Sequence, residues 1–240
     1  MNKLFYIFST LFFLNCNTTI KETQVYSILY DTTDPLRANP NKKELLNFMD
    51  IDNANKIIQI RYLEISDVDF NKVTELIRPC EKKGLFSNQI LEKQKKELFR
   101  NKLDSLLKTD DTLISSSYSS IFKPILAEVQ YLEGLPSDYK KHLIIYSDLM
   151  ENNHWLSFYS TSGMNLMNQN PEKLLNLYIK EIGKLPILTN VKVHIVFIPK
   201  DQLENRRFQK LQQLYLKIFK DHLGVPISFS ANLTKAQRPL

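Results

Sequence analysis

The chain has 240 residues, with 32 Lys and Arg against 26 Asp and Glu, so its formal net charge is +6. This length is sufficient for one domain built on an ordinary hydrophobic core, and two cysteines are too few for a disulfide-based scaffold. The small positive excess and the five glycines, none of them in a glycine-rich phosphate loop, argue against a dedicated nucleic-acid-binding protein.

The amino terminus has the pattern of an export signal. Lys3 is followed by residues 4–14, which are almost entirely apolar, and then by Asn15 and Cys16. An apolar run of this length is about half of what a membrane-spanning helix needs, and it fits the core of a signal peptide. We therefore assign residues 1–15 to a signal peptide and expect the rest of the chain to lie outside the cytosol.

The end of this signal contains a possible lipidation site. Phe13-Leu14-Asn15-Cys16 resembles the lipobox of bacterial lipoproteins, in which the cysteine is lipidated and becomes the first residue of the mature protein. The resemblance implies a lipid anchor at Cys16, a tether over residues 16–23, and a place on the periplasmic side of a membrane or on the cell surface. Asn15 stands where that family usually has a small residue, so an ordinary cleaved signal and an uncleaved anchor stay open.

The remaining chain alternates between predicted strands and helices. Apolar, β-branched runs predict strands over residues 24–30, 57–63, 142–146 and 191–198. Amphipathic periodicity predicts helices over residues 41–49, 90–107, 121–132, 172–182 and 205–222, while residues 70–77 are ambiguous. This order predicts an α/β fold with a doubly wound, mainly parallel, Rossmann-like sheet and helices on both faces. We expect one domain over residues 24–240, with a helical insertion around residues 86–108.

The long helix predicted at residues 90–107 is basic on one side. Its apolar stripe is formed by Leu91, Leu98, Leu103, Leu106 and Leu107. Lysines and an arginine fill the opposite side, with acidic residues interleaved among them. Two interpretations stay open: a basic helix on a membrane surface, or a solvated helix packed through its apolar side.

Acidic turns follow two of the predicted strands. Asp31-Thr32-Thr33-Asp34-Pro35 comes after the first strand, and Ser147-Asp148 comes after the strand at residues 142–146. Loops at the carboxyl ends of parallel strands form the ligand crevice of an open α/β sheet. Carboxylates and hydroxyls gathered there suit a hard cation such as Mg²⁺, which prefers oxygen ligands.

These turns resemble the metal-ion-dependent adhesion site of von Willebrand factor A-type (vWA) domains. In that family the first strand is followed by Asp-x-Ser-x-Ser, a second loop supplies Thr or Ser, and a third supplies Asp after the fourth strand. Asp31 and Thr33 match the first loop by type, Ser119 is the best match for the second, and Asp148 lies in a Ser-Asp pair similar to the family's third loop. The resemblance implies a Mg²⁺ held by Asp31, Thr33, Ser119 and Asp148, whose coordination is completed by a carboxylate of a protein partner.

The first loop departs from the family pattern at Pro35, which occupies the third ligand position and cannot coordinate a metal. Asp34 either compensates for the lost hydroxyl or caps the following turn. The alternative for the whole site is an acidic strand-end turn whose side chains only cap backbone N–H groups.

Five further residues are expected on the rim of the crevice, where a partner would make contact: Asp34, Ser117, Glu151, His154 and Trp155. A Trp beside a cleft often anchors a partner, and packing beneath its own loop is the alternative for Trp155.

The sequence therefore favours an exported, membrane-anchored vWA-like module that binds a protein or other ligand, with Mg²⁺ as the candidate cofactor. One alternative is a metal-dependent hydrolase on a Rossmann-like fold, with Asp31 and Asp148 as ligands. Such chemistry needs a general acid or base, and Glu151 and His154 are the available candidates. The other alternative is a structural lipoprotein with a vestigial site.

Overall fold

Six strands and six α-helices make up the fold in a computed structural model that describes residues 21–33, 39–65, 72–81, 88–108, 118–183 and 191–233. The strands are β1 (Glu22–Asp31), β2 (Lys56–Ile65), β3 (Val73–Arg78), β4 (Lys140–Tyr146), β5 (Val191–Val196) and β6 (Ile227–Ser230). The helices are α1 (Lys42–Met49), α2 (Gln89–Leu107), α3 (Phe122–Glu133), α4 (Thr161–Gln169), α5 (Pro171–Ile182) and α6 (Gln202–Leu216), and α6 continues as a π-helical segment over Lys217–His222. The predicted signal peptide, Cys16, Asp34, Pro35 and Ser117 lie outside the described residues.

The strands form one sheet in the order β3-β2-β1-β4-β5-β6. Every neighbouring pair is parallel except β2 and β3, which are antiparallel. The chain builds outward from β1 to β3 and then returns to the other side of β1 to add β4, β5 and β6. The predicted α/β class with a mainly parallel, doubly wound sheet is therefore confirmed, and the strand order reverses between β1 and β4.

Helices cover both faces of the sheet, because the parallel strands are apolar on both sides. On the first face, α3, α4, α5 and α6 pack against inward residues such as Leu29, Leu143 and Ile195. On the second face, α1 and α2 pack against residues such as Ile28 and Ile60. The helix α2, which lies in the segment expected as a helical insertion, forms part of the layer that buries the second face.

The apolar side of α2 also differs from the predicted stripe. The buried residues are Phe99 and Leu103, while Leu91 and Leu98 are exposed. Positions 98 and 99 differ by about 100° around a helix, so the buried side is rotated relative to the one predicted. Lys95 pairs with Glu92, and Arg100 pairs with Glu97 and Asp52, so the basic side is an ion-paired surface of the helix.

The start of β1 and two further elements differ from the sequence expectations. β1 begins at Glu22, so the last two residues of the predicted tether belong to the sheet. The sequence did not predict α4, whose Ser- and Asn-rich segment is capped by the Ser160 hydroxyl, or β6, which is only four residues long. Within the described residues, every helix is too short or too polar to cross a bilayer.

Candidate functional site

The candidate site lies where the strand order reverses, at the carboxyl ends of β1 and β4. Tyr30 pairs with Tyr146 at the end of this parallel ladder, so Asp31 and Ser147 leave the sheet side by side. This is the position at which open α/β sheets form their ligand crevice. The expectation that Asp31 and Asp148 lie at the same edge of the sheet therefore holds in the topology.

Asp31 is a buried carboxylate surrounded by hydroxyl donors, with only 2% of its surface exposed. Its Oδ2 accepts a hydrogen bond of 2.9 Å from Ser147 Oγ. Its Oδ1 accepts from Thr33 Oγ1 at 2.6 Å and from the Thr33 backbone N–H at 3.0 Å. The structure thus joins Asp31 and Thr33 by direct bonds and adds Ser147, which was not among the predicted ligands.

The turn after β4 is held in a strained form. Ser147 Oγ accepts from the Leu149 N–H at 2.9 Å, and Asp148 Oδ1 accepts from the Met150 N–H at 2.8 Å. These bonds hold the buried Leu149 at a φ of 65°, a left-handed conformation that is rare for a bulky residue. Strain of this kind persists only where the surroundings enforce it, and it concentrates at functional sites.

Ser119 is attached to the same turn, although it does not bond directly to Asp31. Its backbone exchanges two hydrogen bonds with Asn152, at 2.8 and 2.9 Å. Its hydroxyl donates to the Met150 carbonyl at 3.4 Å, and the residue is buried. These bonds join the loop before α3 to the loop after β4. Ser119 thereby contacts Met150, which is two positions after Asp148 in the chain.

The placement of Glu151 on an exposed rim is wrong. The residue is completely buried. Its carboxylate accepts from the backbone N–H groups of Ile121, the N-cap residue of α3, and of Phe122, the first residue of that helix, and from Asn153 Nδ2 at 2.6 Å. Glu151 thus caps α3 from a distant loop, since the N-cap residue of this helix, Ile121, makes no side-chain cap bond of its own.

The environment of this carboxyl group changes its acidity. Burial raises the pKa of Glu151 to about 8, and the nearby charge of Asp31 acts in the same direction. The N–H donors of Phe122 and Ile121 oppose this shift because they stabilise the ionised form. The site therefore contains one carboxyl group that titrates near neutral pH.

The other rim residues separate into one exposed and one packed side chain. His154 is exposed. Trp155 is half-buried, and its ring lies edge-on to Tyr178 with a centroid distance of 5.4 Å. Of the two roles left open for Trp155, this contact supports packing beneath its own loop. Asn153 Oδ1 shapes this loop by accepting from the N–H groups of Trp155 and Leu156.

A cleft of about 230 Å³ opens beside Asp148, between the end of β5 and α6. Its lining includes Asp148, Tyr159, Lys200, Glu204 and Arg207. Lys200 and Glu204, which both belong to this lining, form an ion pair of 3.5 Å. The sequence analysis did not find this cleft, although the Pro199-Lys200-Asp201 turn after a predicted strand was a signal for a third loop at the same edge.

The donor set determines which cation could fit. The described residues contain no group of three His, Cys, Asp or Glu side chains able to hold a metal. The side-chain oxygens of this site belong to Asp31, Thr33, Ser119, Ser147 and Asp148, a set with hydroxyls and no nitrogen or sulfur. Such a set fits a hard, partly hydrated cation such as Mg²⁺ and does not fit Zn²⁺.

Comparisons with known proteins add little. No family model matches the chain, and no curated protein matches it. Among solved structures, the N-terminal domain of TFIIH p34 aligns with 84% of this chain and 99% of its own, at 9% identity and a TM-score of 0.28. A TM-score this low supports no inference about the site, so the function must be argued from the residues themselves.

Proposed function

We propose that this protein is an exported, membrane-anchored vWA-like module that binds a protein partner at the crevice between β1 and β4. The proposed anchor is a lipid on Cys16. The proposed cofactor is Mg²⁺, held by Asp31, Thr33, Ser119 and Asp148. The observation that carries the proposal is the buried carboxylate of Asp31, which organises hydroxyls from two different loops at the point where the strand order reverses.

The direction of these hydrogen bonds supports a cation site. Because Thr33 Oγ1 and Ser147 Oγ donate hydrogen bonds to Asp31, the lone pairs of these hydroxyl oxygens point away from its carboxylate. Ser147 uses one lone pair for the Leu149 N–H, whereas the Thr33 hydroxyl donates only to Asp31 in the bonds described here. An anionic residue that orients hydroxyl oxygens outward creates a partly negative surface, which a hard cation with several waters can occupy.

A binding role is favoured over hydrolysis by the position of Glu151. Of the two candidate bases, Glu151 is buried and engaged by the N-terminus of α3, so it is not free to accept a proton from a water at the crevice. His154 is the other candidate, and it lies on the exposed loop. Coordination completed by a partner carboxylate needs no general base, so it is the simpler use of these residues.

The proposed anchor would keep the module near the bilayer. β1 begins at Glu22, so five residues, 17–21, separate Cys16 from the sheet. Even fully extended, these residues span no more than about 18 Å. A partner of this module would therefore be encountered at the membrane surface.

A crystal of the protein soaked in Mg²⁺ tests the proposal most simply. We expect octahedral density with ligand distances of about 2.1 Å at the crevice. The Thr33→Val variant, which keeps the shape and removes the hydroxyl, should lose this density, while Thr32→Val should retain it because Thr32 Oγ1 donates to the Ile65 carbonyl. If the wild-type crevice stays free of metal in saturating Mg²⁺, the loops are a vestigial site and the cation proposal is wrong.

A further inference from the structure

A second surface lies next to the cleft beside Asp148, in the groove between α4 and α6. It has a volume of about 430 Å³. Met164 and Asn168 of α4 form one wall, and Leu203, Arg206, Arg207 and Lys210 of α6 form the other together with two glutamines. We refer to this surface as the α4–α6 groove.

The charged side chains among the described residues that line the groove are all positive. Three of these lining residues are basic, and none of them is acidic. Elsewhere on the surface many basic side chains have carboxylate partners, as with Lys217 and Glu172 at 2.5 Å. Within the described residues, Arg206 and Arg207 form no ion pair, and Lys210 bonds to the uncharged amide of Asn168. The groove therefore presents two guanidinium groups that are free to pair with an added anion.

Arg207 connects this groove with the cleft beside Asp148, because its side chain lines both. Its Nε atom is buried and has no hydrogen-bond partner within the described part of the chain. A guanidinium group can bind a carboxylate through two parallel N–H donors, so this side chain is suited to pair with an anion in the groove.

The uncharged lining indicates what kind of anion fits. Leu203 is 48% exposed and Met164 is half-buried, so together they offer an apolar contact for one side chain of a ligand. The amides of Asn168, Gln209 and Gln213 can bond to peptide groups. None of the described residues that line the groove is aromatic, which disfavours single-stranded nucleic acid because its bases would have no ring among these residues to stack on.

We propose that the α4–α6 groove binds an acidic segment of a protein partner, in which carboxylates pair with Arg206 and Arg207 and an apolar side chain contacts Leu203. This inference rests on the proposed binding function, since it supplies the chemistry of the partner. Through Arg207, a segment seated in the groove continues toward Asp148 and the crevice. The net charge of +6 on the whole chain also favours an acidic partner over a basic one.

Fluorescence anisotropy of a short fluorescein-labelled peptide of glutamate and leucine tests this proposal on the full chain in neutral detergent. The double variant Arg206→Glu with Arg207→Glu should weaken binding by about tenfold or more, because two charge-assisted pairs are lost. The matched control is Lys173→Glu with Lys220→Glu, which makes the same change in net charge at exposed positions outside the groove. This control should bind the peptide almost as the wild type does, and the lysine–leucine counterpart of the peptide should not bind.

Three results would overturn the proposal: no binding of the glutamate peptide by the wild type, equal weakening in both double variants, or displacement of the peptide by single-stranded DNA or anionic vesicles at lower concentration than by unlabelled peptide. Repeating the peptide titration in EDTA separates the claim that the groove binds the peptide from the claim that the crevice holds a cation. Peptide binding that depends on the arginines but not on the cation would support the groove and leave the cation site without support. If EDTA abolishes peptide binding and the arginine changes have no effect, the cation site is supported and the groove proposal is wrong.

Discussion

Replacing Glu151 by Gln should change how the stability of the protein depends on pH. Burial raises the pKa of this carboxyl group to about 8 in the folded protein, from about 4.5 in the unfolded chain. Between these two values the unfolded chain releases a proton that the folded protein keeps. The contribution of Glu151 to the free energy of unfolding is therefore fully present below pH 4.5, decreases as pH rises, and is lost above about pH 8.

The size of the effect follows from the same two values. A difference of one bound proton changes the free energy of unfolding by about 1.4 kcal/mol per pH unit. Between the two pKa values the total change is therefore on the order of 5 kcal/mol. Glutamine is neutral at every pH and has nearly the shape of the protonated acid. Its side-chain oxygen can accept from the N–H groups of Ile121 and Phe122, but its amide nitrogen would face the Asn153 amide donor. We expect this mismatch to destabilise the variant at pH 6 by about 1–3 kcal/mol.

Urea unfolding measured between pH 6.5 and 8.5 provides the test, and it can be followed through the fluorescence of the single tryptophan, Trp155. The free energies of unfolding of the wild type and of Glu151→Gln should converge as pH rises, by about 1.4 kcal/mol per unit, until the variant is as stable as the wild type or more so. Comparing the two proteins cancels the titration of all other groups. Parallel pH profiles would refute the reasoning, because they would mean that the N–H donors of α3 hold the carboxylate ionised.

Three other changes have defined outcomes. Burial lowers the pKa of His142 to about 3 and that of His194 to about 4, so the free energy of unfolding should fall as pH drops from about 6.5 toward 4. In urea unfolding, the double variant His142→Phe with His194→Phe should lose less of its free energy of unfolding over this pH range than the wild type does. Gly163→Ala would place a Cβ 1.9 Å from the backbone carbonyl oxygen of Ser157, so it should lower the free energy of unfolding by about 1–3 kcal/mol or more in urea unfolding. The control Gly134→Ala, whose Cβ would have no contact closer than 3.5 Å, should be tolerated in the same assay. If the chain carries a lipid on Cys16, Cys16→Ala should move it from the detergent phase to the aqueous phase, and an unmodified mature N-terminus in mass spectrometry would contradict the anchor.

The sheet was predictable because its strands are short apolar runs without competing signals. Residues 25–30 and 142–146 are buried on both faces, so their sequence is almost continuously apolar. The edge strand β3 was ambiguous because one side of it is exposed, and its residues Val73 and Ile77 face solvent. β6 has four residues, which is too short for a periodic pattern to be distinguished from a loop.

The candidate site was predictable only in part. Acidic turns after apolar strands point to Asp31 and Asp148, since strand ends meet at one edge of a parallel sheet. The partner of Asp31, Ser147, and the role of Glu151 depend on contacts between residues about 30 to 116 positions apart in the chain. A buried glutamate that caps a distant helix looks the same in sequence as an exposed one, and only the fold distinguishes them.

The central claim is that the crevice between β1 and β4 holds a divalent cation, and thermal unfolding with and without Mg²⁺ tests it most directly. A cation at a hundredfold excess over its dissociation constant stabilises the folded protein by about 2.7 kcal/mol, or roughly 5–10 °C in a chain of this size. We predict this shift for the wild type, its loss in Asp148→Ala, a larger shift in Pro35→Ser, and no change in the control Asp221→Ala. A wild type that melts at the same temperature in millimolar Mg²⁺ and in EDTA, with no gain from Pro35→Ser, would contradict the account.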